Sequence, residues 1–346
     1  MASTLPPAHP FNDLDEQRAV TLSDVANEAG VSIGTASKAL NGRFDVAAAT
    51  RDRVLNIASQ MGFVPNALAR GLSAGKSHTV GILTNDLQGR FVPQIMHGAE
   101  SEIGREDSTV LLSNSDGEPT RQARQLQSLL ERRVDGLIIV DEWMEERAPI
   151  PVRGSTPVVY VFGASSNPED ISVVPDVHEG GRLAASHLIE IGRRNLAHIG
   201  GEIGAFSADQ RAAGFHEALR EADLYRGYRY SLRGDYSEQW GWEATGRLLA
   251  DGANVDAIFA GNDQIARGAV DRLQMEGRSV PEDVAVIGYD NWEVLSLQGR
   301  LPITTIDMRL DILGAEAVRQ LYGEERVTGK ILVSPGLVRR ASTMGR

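Results

Sequence analysis

Apolar residues near the front of the chain recur with the period of a helix. They fall on one helical face and are Leu22, Val25, Ala26 and Ala29. Thr21 and Asp24 can form a capping box where this helix begins. Gly30 suits the left-handed residue that commonly ends a helix. The pattern predicts a short amphipathic helix that is interrupted at Gly30.

Two further helices are predicted after this turn. Val31 is the expected buried residue of the turn, and Ser32 can cap a second helix that ends at Asn41-Gly42. A third helix is predicted over Ala47–Gln60, with Gly62 just past its end. Its apolar face consists of Val54, Ile57, Ala58 and Met61. Helix, tight turn and helix is the geometry that places a second helix in a DNA major groove, but spacing alone fits an ordinary helical hairpin equally well.

From Thr79 onward the pattern changes to apolar runs that alternate with helix-length amphipathic stretches. The predicted strands are Val80–Leu83, Val110–Leu112, Gly136–Val140, Val158–Phe162, Leu196–Ile199, Ala257–Ala260 and Val284–Ile287. The predicted helices are Val92–Gly104, Arg121–Arg132, Gly180–Gly192, Ala212–Ala222, Glu243–Leu249 and Ile265–Gly277. Such alternation predicts parallel sheets covered by helices.

Composition sets limits on the class of protein. The chain has 346 residues, 42% of them hydrophobic and 24% charged, which is typical of a globular protein with two or three domains. The absence of cysteine excludes disulfides and cysteine-ligated metals. Neither a cleavable signal nor an apolar run of roughly 20 residues is present, so a cytoplasmic location and no membrane partner are the default expectations.

Charge is distributed unevenly along the chain. The formal net charge is −12, which by itself argues against a nucleic-acid partner. Residues 19–78 are nevertheless mildly basic. Their basic residues are Lys38, Arg43, Arg51, Arg53, Arg70 and Lys76, and their acidic residues are Asp24, Glu28, Asp45 and Asp52. Any contact with DNA is therefore expected from the front of the chain.

The amino-acid sequence of the front segment resembles that of one known family. "TLSDVANEAGVSIGTASKALNG" is similar to the beginning of LacI/GalR-type bacterial transcription regulators, and further similarities follow in the order and spacing of that family. They are Val134-Asp-Gly-Leu-Ile, Gly180-Gly-Arg-Leu-Ala, His198-Ile-Gly-Gly201, Arg211-Ala-Ala-Gly-Phe215, Ile258-Phe-Ala-Gly-Asn-Asp263, Val280-Pro-Glu-Asp-Val-Ala-Val-Ile-Gly-Tyr-Asp290, Pro302-Ile-Thr-Thr-Ile306 and Val338-Arg-Arg-Ala-Ser-Thr343. Each motif is weak alone, whereas the ordered set, over residues 20–343, is specific.

The resemblance implies a fold class and domain boundaries. We expect a small all-α helix-turn-helix DNA-binding domain and an α/β periplasmic-binding-protein-like effector domain with two doubly wound parallel-sheet lobes. The expected boundaries are a disordered leader at 1–18, the DNA-binding domain at 19–65, a hinge helix and linker at 66–78, and the effector and dimerisation domain at 79–346. Its N-lobe is expected at about 79–174 and 306–333, and its C-lobe at about 175–305 and 334–346.

The resemblance also implies which residues contact DNA. In the helices they are Thr21, Ile33, Gly34, Thr35, Ser37, Lys38, Asn41 and Thr50. Ile33 offers only apolar contact and Gly34 offers no side chain, whereas Lys38 can donate to guanine N7 and O6. We therefore expect this helix to make few direct contacts with base edges. For Ser37 and Thr50 a capping or turn role is the alternative.

The remaining expected DNA contacts belong to the hinge. They are Asn66, Ala69 and Leu72. Asn66 can cap a helical turn through Leu72, but so short a helix is marginal in water, and a flexible linker is the alternative in the absence of DNA. The resemblance implies that Leu72 enters the minor groove and opens a base step. The hinge would then supply much of the discrimination between sequences.

Open α/β sheets bind ligands at the carboxyl ends of their strands, and three candidate effector contacts follow predicted strands: Asp86, Asn262 and Asp290. The other candidates are Arg211, which matches the family arginine that reaches across the cleft, and the aromatic residues Phe91, Tyr236 and Trp240. Asp290 and Asn262 match family positions that contact sugar hydroxyls or nucleobases, and the fork of Arg211 suits vicinal hydroxyls or a carboxylate. Tyr236 and Trp240 can stack on a sugar ring. A helix cap at Asn262 and rim packing at Tyr236 are the alternatives.

Three positions depart from the usual family pattern. Gly89-Arg-Phe-Val92 stands where most relatives have Asn-Pro-Phe-Phe, so that Arg90 adds a charge after the first strand. Asp141-Glu-Trp143 replaces the usual Pro or Ser after the third strand. Ala47 replaces a Ser or Thr cap, which predicts a weaker start to the third helix. The first two departures leave the effector's identity open.

Together these features predict a DNA-binding transcriptional regulator. We expect a repressor that binds a palindromic operator as a homodimer and is released by a small molecule, such as a sugar. No heptad helix of the kind that makes tetramers follows the last strand. A solute-binding protein without DNA function is the alternative, and an enzyme ranks below it, since no phosphate loop, nucleophile elbow or metal-spaced histidine pair occurs. No cofactor or metal is expected.

Overall fold

The structure is a computed structural model that describes residues 20–41, 45–63, 77–105, 108–152, 154–225, 230–297, 301–323 and 327–344. The chain divides into two compact units, Met1–Ser77 and His78–Arg346. The predicted leader and the predicted hinge contacts Asn66, Ala69 and Leu72 lie outside the described residues.

The first unit contains the helices α1 (Leu22–Glu28), α2 (Ile33–Leu40) and α3 (Ala48–Gln60). They pack around one small apolar core. Its buried members are Val25, Ala26, Ala29, Ala36, Ala39, Val46, Val54 and Ala58. Small side chains dominate this core, so the helices can approach one another closely.

Local capping in this unit follows the sequence prediction. Thr21 and Asp24 form a complete capping box, and the Oγ of Ser32 accepts a hydrogen bond from the amide of Thr35. Gly30 has a φ of +63°, in the left-handed region. Ala47 forms no side-chain cap for α3, because a methyl group cannot accept a hydrogen bond. Val31, predicted to be buried, is only half-buried at the turn.

The second unit is built from short strands, most of them followed by a helix. The strands are β1 (Thr79–Thr84), β2 (Thr109–Asn114), β3 (Gly136–Val140), β4 (Glu146–Arg147), β5 (Val158–Val161), β6 (Ala164–Ser165), β7 (Ile171–Pro175), β8 (Leu196–Gly200), β9 (Ser231–Arg233), β10 (Ala257–Ala260), β11 (Ala285–Tyr289), β12 (Thr304–Asp307), β13 (Gly329–Val333) and β14 (Gly336–Val338). The helices are α4 (Val92–Arg105), α5 (Pro119–Glu131), α6 (Val177–Glu190), α7 (Phe206–Glu221), α8 (Glu238–Ala250), α9 (Asp263–Met275), α10 (Glu293–Ser296), α11 (Leu310–Tyr322) and α12 (Ala341–Met344).

Two six-stranded sheets define two lobes. The N-lobe sheet has the order β13-β7-β5-β3-β1-β2, and all its pairs are parallel. The C-lobe sheet has the order β14-β12-β11-β10-β8-β9, in which only the β12–β14 pair is antiparallel. Val80 lies opposite Gly136 in the first sheet, and Phe259 lies opposite Ile287 in the second. Both lobes are therefore doubly wound α/β layers, as predicted.

Three crossovers connect the lobes. The first runs from β7 into α6, the second from β12 into α11, which packs on α4, and the third from β13 into β14. Asp307, the last residue of β12, pairs with Gly336 of β14 and so still belongs to the C-lobe sheet. The second crossover therefore comes after Asp307. Ligand sites in such a fold lie between the lobes, where the carboxyl ends of the strands meet.

Within the described parts of the chain, no helix is both long enough and apolar enough to cross a membrane.

Candidate functional site

A cavity of about 390 Å³ lies between the two lobes of the second unit, and we call it the effector cavity. Its N-lobe wall consists of Asp86, Gln88, Gly89, Arg90, Phe91, Glu142, Trp143, Met144 and Phe162. Its C-lobe wall consists of Ser207, Arg211, Tyr236, Gln264, Asp290 and Trp292. The size, the aromatic lining and the few converging polar groups are typical of a small-molecule site.

The loop after β1 presents Arg90 to this cavity. The Oδ1 of Asp86 accepts hydrogen bonds from the amides of Gln88 at 3.0 Å and Gly89 at 2.7 Å, which closes a tight turn. A Cβ on Gly89 would lie 1.7 Å from Oδ2 of Asp86, so a larger residue there would displace this carboxylate from the turn. One oxygen of Asp86 therefore shapes the loop, although its side chain also lines the cavity.

Arg90 reaches from the N-lobe to the C-lobe. Its Nη2 donates to Oδ2 of Asp290 at 2.5 Å, and its Nη1 donates to Oε1 of Gln264 at 3.0 Å. The guanidinium lies 4.7 Å from the ring centre of Phe91 and 4.9 Å from that of Trp292. Charge, hydrogen bonds and cation–π contacts thus fix one side chain across the cleft.

Asp290 occupies a strained turn directly after β11. Its φ is +99° and that of Asn291 is +52°, a region that non-glycine residues rarely adopt. The amide of Asp290 donates to the carbonyl of Ile306 at 2.9 Å, and Arg340 donates to the Asn291 side chain at 2.8 Å. Neighbouring segments therefore hold the turn, and strain of this kind concentrates at ligand sites.

Arg211 is buried behind Asp290, on α7. Its Nη1 donates to the carbonyl of Gly261 at 2.5 Å, and its Nη2 lies 3.9 Å from Oδ1 of Asp290. Gly181 of α6 lets the two helices touch at this point, since a Cβ there would lie 2.0 Å from the Arg211 carbonyl oxygen. The guanidinium also stacks 4.0 Å above the ring of Tyr289.

Burial governs the acidity of two carboxyl groups at the site. Burial raises the pKa of Asp290, and the adjacent Arg90 and Arg211 oppose that rise. Burial, together with the nearby charge of Asp290, raises the pKa of Asp263 to about 8. Asp263 accepts hydrogen bonds from Thr305 and from the amide of Trp292, both at 2.6 Å.

Several polar atoms of the cavity wall are buried without a hydrogen-bond partner in the described residues. They are Nε of Arg90, Nε of Arg211, the hydroxyl of Tyr236 and Oδ1 of Asp290. Buried donors and acceptors normally have partners. The cavity wall therefore has both donors and an acceptor without partners in the described part of the chain. A ligand that carries several hydroxyl groups could bond to both kinds of group, because a hydroxyl both donates and accepts.

The structure brings together most of the predicted effector residues. Asp86, Phe91, Arg211, Tyr236 and Asp290 all line the effector cavity.

Trp240 and Asn262 do not line the effector cavity. Trp240 packs in the C-lobe core, and its Nε1 donates to the carbonyl of Gly200 at 3.1 Å. Asn262 is fully buried and caps α9 by accepting from the amide of Ile265 at 2.8 Å. The helix-cap alternative therefore describes Asn262 in this structure.

Sequence reasoning missed other wall residues. Gln264 and Trp292 each come two positions after a predicted contact, and Phe162 directly follows β5. Gln264 lies four residues beyond β10 and Trp292 three residues beyond β11, and Phe162 was placed inside a predicted strand, so a rule that takes the polar residue directly after a strand finds none of the three. Arg90 stood out only as a departure from the family pattern.

The described DNA candidates surround α2. Ile33, Gly34 and Lys38 are exposed residues, and Ile33 is 53% exposed in spite of its apolar side chain. Nζ of Lys38 pairs with Asp45 at 2.6 Å on this surface. An exposed pair of this kind is weak, so the ammonium can exchange its partner for a base edge.

The polar candidates around α2 form local bonds. Thr21 caps α1, the hydroxyl of Thr35 lies 2.8 Å from that of Ser32, and Asn41 donates to Ser37 at 3.4 Å. Thr50 lies half-buried in the first turn of α3. These side chains stabilise the turn and remain partly exposed. They are therefore placed as side chains that contact the phosphate backbone of DNA would be.

Family models match both units of the chain. Residues 21–66 match the model described as bacterial regulatory proteins, lacI family, and residues 185–343 match a periplasmic binding protein-like domain. The HTH-type transcriptional repressor PurR of Aliivibrio fischeri is 32% identical over 336 residues, which cover 94% of this chain and 99% of that protein. Catabolite control protein A of Priestia megaterium is 33% identical over 325 residues, with coverage of 91% and 96%.

Solved structures show the same architecture. The lac repressor dimer bound to operator and the anti-inducer ONPF has a TM-score of 0.77 and 29% identity, and covers 94% of this chain and 99% of its own. The complex of the transcriptional regulator CelR with cellobiose has a TM-score of 0.62 and 27% identity, with coverage of 93% and 99%.

Proposed function

The chain belongs to the LacI family of bacterial transcription regulators, and we propose that it is a repressor whose affinity for its operator is lowered by a sugar bound in the effector cavity. The observation that carries this proposal is the pairing of two units in one chain. One has an exposed α2 surface suited to a DNA groove, and the other has a ligand-sized cavity between two lobes. A repressor acting on chromosomal DNA would work in the cytoplasm.

The chemistry of the cavity supports a sugar as the effector. Phe91, Tyr236 and Trp292 offer ring faces for the apolar side of a pyranose. Asp290 and Arg211 offer an acceptor and donors for hydroxyl groups. The lac repressor was solved with the anti-inducer ONPF and CelR with the disaccharide cellobiose, and the second of these ligands supports a sugar here.

We further propose that the protein acts as a homodimer. The relative with a TM-score of 0.77 is a dimer on its operator. One copy of α2 exposes few groups that can read bases, so two half-sites would be needed for adequate specificity. In this proposal the DNA contacts are those named from the sequence, with Lys38 as the principal base-reading side chain.

Two measurements test the proposed function. Selection of bound fragments from random DNA should return a site of two inverted half-sites. Titration with a panel of mono- and disaccharides should change the tryptophan fluorescence, because Trp143 and Trp292 line the cavity. The sugar that does so should weaken operator binding. Release of the operator by free nucleobases, with no response to any sugar, would show that the effector class is wrong.

A further inference from the structure

The side chain of Asn291 bridges two charged residues that lie close to the crossovers between the lobes. Its Oδ1 accepts a hydrogen bond from Nη2 of Arg340 at 2.8 Å, and its Nδ2 donates to Oδ2 of Asp307 at 3.3 Å. All three residues are half-buried. Hydrogen bonds to charged groups are stronger than those between neutral groups. Because the amide oxygen faces a cation and the amide nitrogen faces an anion, only one orientation of the amide satisfies both partners.

Asp307 lies where the second and third crossovers run side by side. It is the last residue of β12 and lies opposite Gly336, the first residue of β14. The second crossover therefore leaves the C-lobe beside the point where the third enters it. Oδ1 of Asp307 also accepts the amide of Arg309 at 2.8 Å, and Arg309 has a φ of +54° immediately before α11. One carboxylate thus binds both the Asn291 side chain and the start of the second crossover.

The backbone of the effector-binding turn is held by other groups. The amide of Asn291 donates to Oγ1 of Thr305 at 3.2 Å, and the amide of Trp292 donates to Oδ2 of Asp263 at 2.6 Å. The amide of Asp290 bonds to β12, as described above. None of these three bonds uses the side chain of Asn291, so the turn keeps them when that side chain changes. The partners of the side-chain amide lie instead beside the crossovers.

We propose that Asn291 is a positioning residue that couples the effector-binding turn to the second and third crossovers. This inference rests on the proposed function, because it concerns how a molecule bound at Asp290 changes the arrangement of the lobes. Asn291 directly follows Asp290, so a shift of Asp290 toward a ligand moves Asn291. Its two bonds pass the shift to Arg340 and Asp307, and Asp307 passes it to the amide of Arg309. A contiguous hydrogen-bond network of this kind can carry coupling between sites.

Reversing the polarity of the Asn291–Asp307 bond tests this inference. Asn291→Asp places two carboxylates against each other. In Asp307→Asn the new oxygen stays with the amide of Arg309, so the new NH2 group faces Nδ2 of Asn291, donor against donor. In the double variant the new amide donates to the new carboxylate, which still accepts from Arg340. Asn and Asp both tolerate the left-handed φ of +52° at position 291.

Hydrogen exchange measures the local link in the full chain without a sugar. In Asn291→Asp, repulsion draws the carboxylate of Asp307 away from the amide of Arg309. We expect that amide to exchange about fivefold faster than in the wild type, and the double variant to return within about twofold of the wild-type rate. Exposed Asp251→Asn is the control and should leave the rate unchanged. An unchanged rate in Asn291→Asp would overturn the inference.

Operator binding measures the coupling itself. The probes are glucose, galactose, cellobiose, lactose and maltose, and the sugar that changes the tryptophan fluorescence of the wild type is used at saturation. It should weaken operator binding of the wild type and of Asp251→Asn by about tenfold. Each single variant should respond by less than about threefold, and the double variant should recover the full response. The affinity for the sugar should change by less than about threefold throughout, because Asp290 and its backbone bonds remain.

Three outcomes would contradict this account. A full response in both single variants, or a double variant that is no better than the single ones, would overturn the inference and leave the proposed function standing. A loss of sugar affinity that parallels the loss of response would show that Asn291 only stabilises the site, which also overturns the inference. If no sugar changed operator binding by the wild type, the proposed function would fail, and this inference with it.

Discussion

The guanidinium of Arg90 lies 2.5 Å from the carboxylate of Asp290, and the two residues belong to different lobes and are 200 positions apart in the chain. The side chain of Asp290 is only 2% exposed, so the ion pair is shielded from solvent on the carboxylate side. Only Oδ2 takes part, and Oδ1 has no hydrogen-bond partner among the described residues. The same contact therefore joins the lobes and opposes the raised pKa of the carboxylate that we propose as the principal effector contact.

Replacing Arg90 should shift the pH dependence of effector binding. Burial raises the pKa of Asp290 and Arg90 opposes that rise, so Arg90→Gln raises this pKa further. A carboxylate loses its charge as the pH falls through its pKa. The variant should therefore lose affinity for the effector at a higher pH than the wild type. Fluorescence titrations between about pH 5 and pH 8 measure this.

Arg105→Gln is the matched control for that experiment. Arg105 pairs with Glu102 on α4, and its side chain is 69% exposed and does not line the cavity. Its pH profile should coincide with that of the wild type. If the Arg90→Gln profile also coincided with the wild type, Arg90 would have no electrostatic role at Asp290.

Asp263 should make the protein less stable as the pH rises. Its pKa is raised from the ordinary 3.8 to about 8, chiefly by burial, so between these values the folded state binds a proton that the unfolded state has lost. Stability then falls with rising pH across this window and levels off above it. In Asp263→Asn that contribution is absent. Thermal unfolding from about pH 5 to pH 9 should show that the stability of Asp263→Asn relative to the wild type increases with pH up to about pH 8. A constant difference would contradict the shifted pKa.

The alternation of apolar runs was sufficient to predict the central strands. Gly136–Val140 and Ala257–Ala260 are buried along their whole length, so they read as continuous apolar segments. β13 lies at a sheet edge, and exposed positions interrupt its apolar residues, so it gave no clear signal. α11 begins after Arg309, which is left-handed and forms no side-chain cap, so the sequence carries no start signal for this helix.

The site was predictable only in part. Asp290 directly follows β11 and Asp86 comes two residues after the end of β1, and a rule based on strand ends finds such residues. Whether a side chain at a strand end faces the cavity or its own helix depends on local geometry, which is why Asn262 was expected at the cavity. The pairing of Arg90 with Asp290 depends on how the two lobes close, and no local pattern encodes that.

A cap at Ala47 should stabilise α3. This helix lacks a side-chain cap, and the N-cap backbone at φ −55° and ψ 137° is already extended. In Ala47→Ser a hydroxyl can accept the amide of Thr50, which is worth about 1 kcal/mol. Hydrogen exchange of the first amides of α3 should slow by roughly fivefold. Ala48→Ser places the hydroxyl one residue inside the helix and should give no such protection; equal effects of the two variants would exclude capping as the cause.

Lys38→Ala should relax the base preference at one position in each operator half-site. An ammonium that donates to guanine N7 and O6 contributes about 1–3 kcal/mol of discrimination, and alanine contributes none. Sequencing of fragments selected from random DNA measures the preference at every position. Asp45→Asn removes the partner of Lys38 but keeps the ammonium, so its preference should match the wild type. An unaltered profile for Lys38→Ala would assign base reading to other residues.

The central claim is that a molecule bound at Asp290 controls the binding of operator DNA by the first unit. Its most direct test is the operator affinity of wild type and Asp290→Asn, with and without saturating effector. Asn keeps the shape of the side chain and removes its charge, and exposed Asp251→Asn is the control. Effector should weaken operator binding of the wild type and of the control by about tenfold, within the usual range of allosteric coupling. Asp290→Asn should bind operator as the wild type does and change by less than about twofold on addition of effector. A full response in Asp290→Asn would contradict the account.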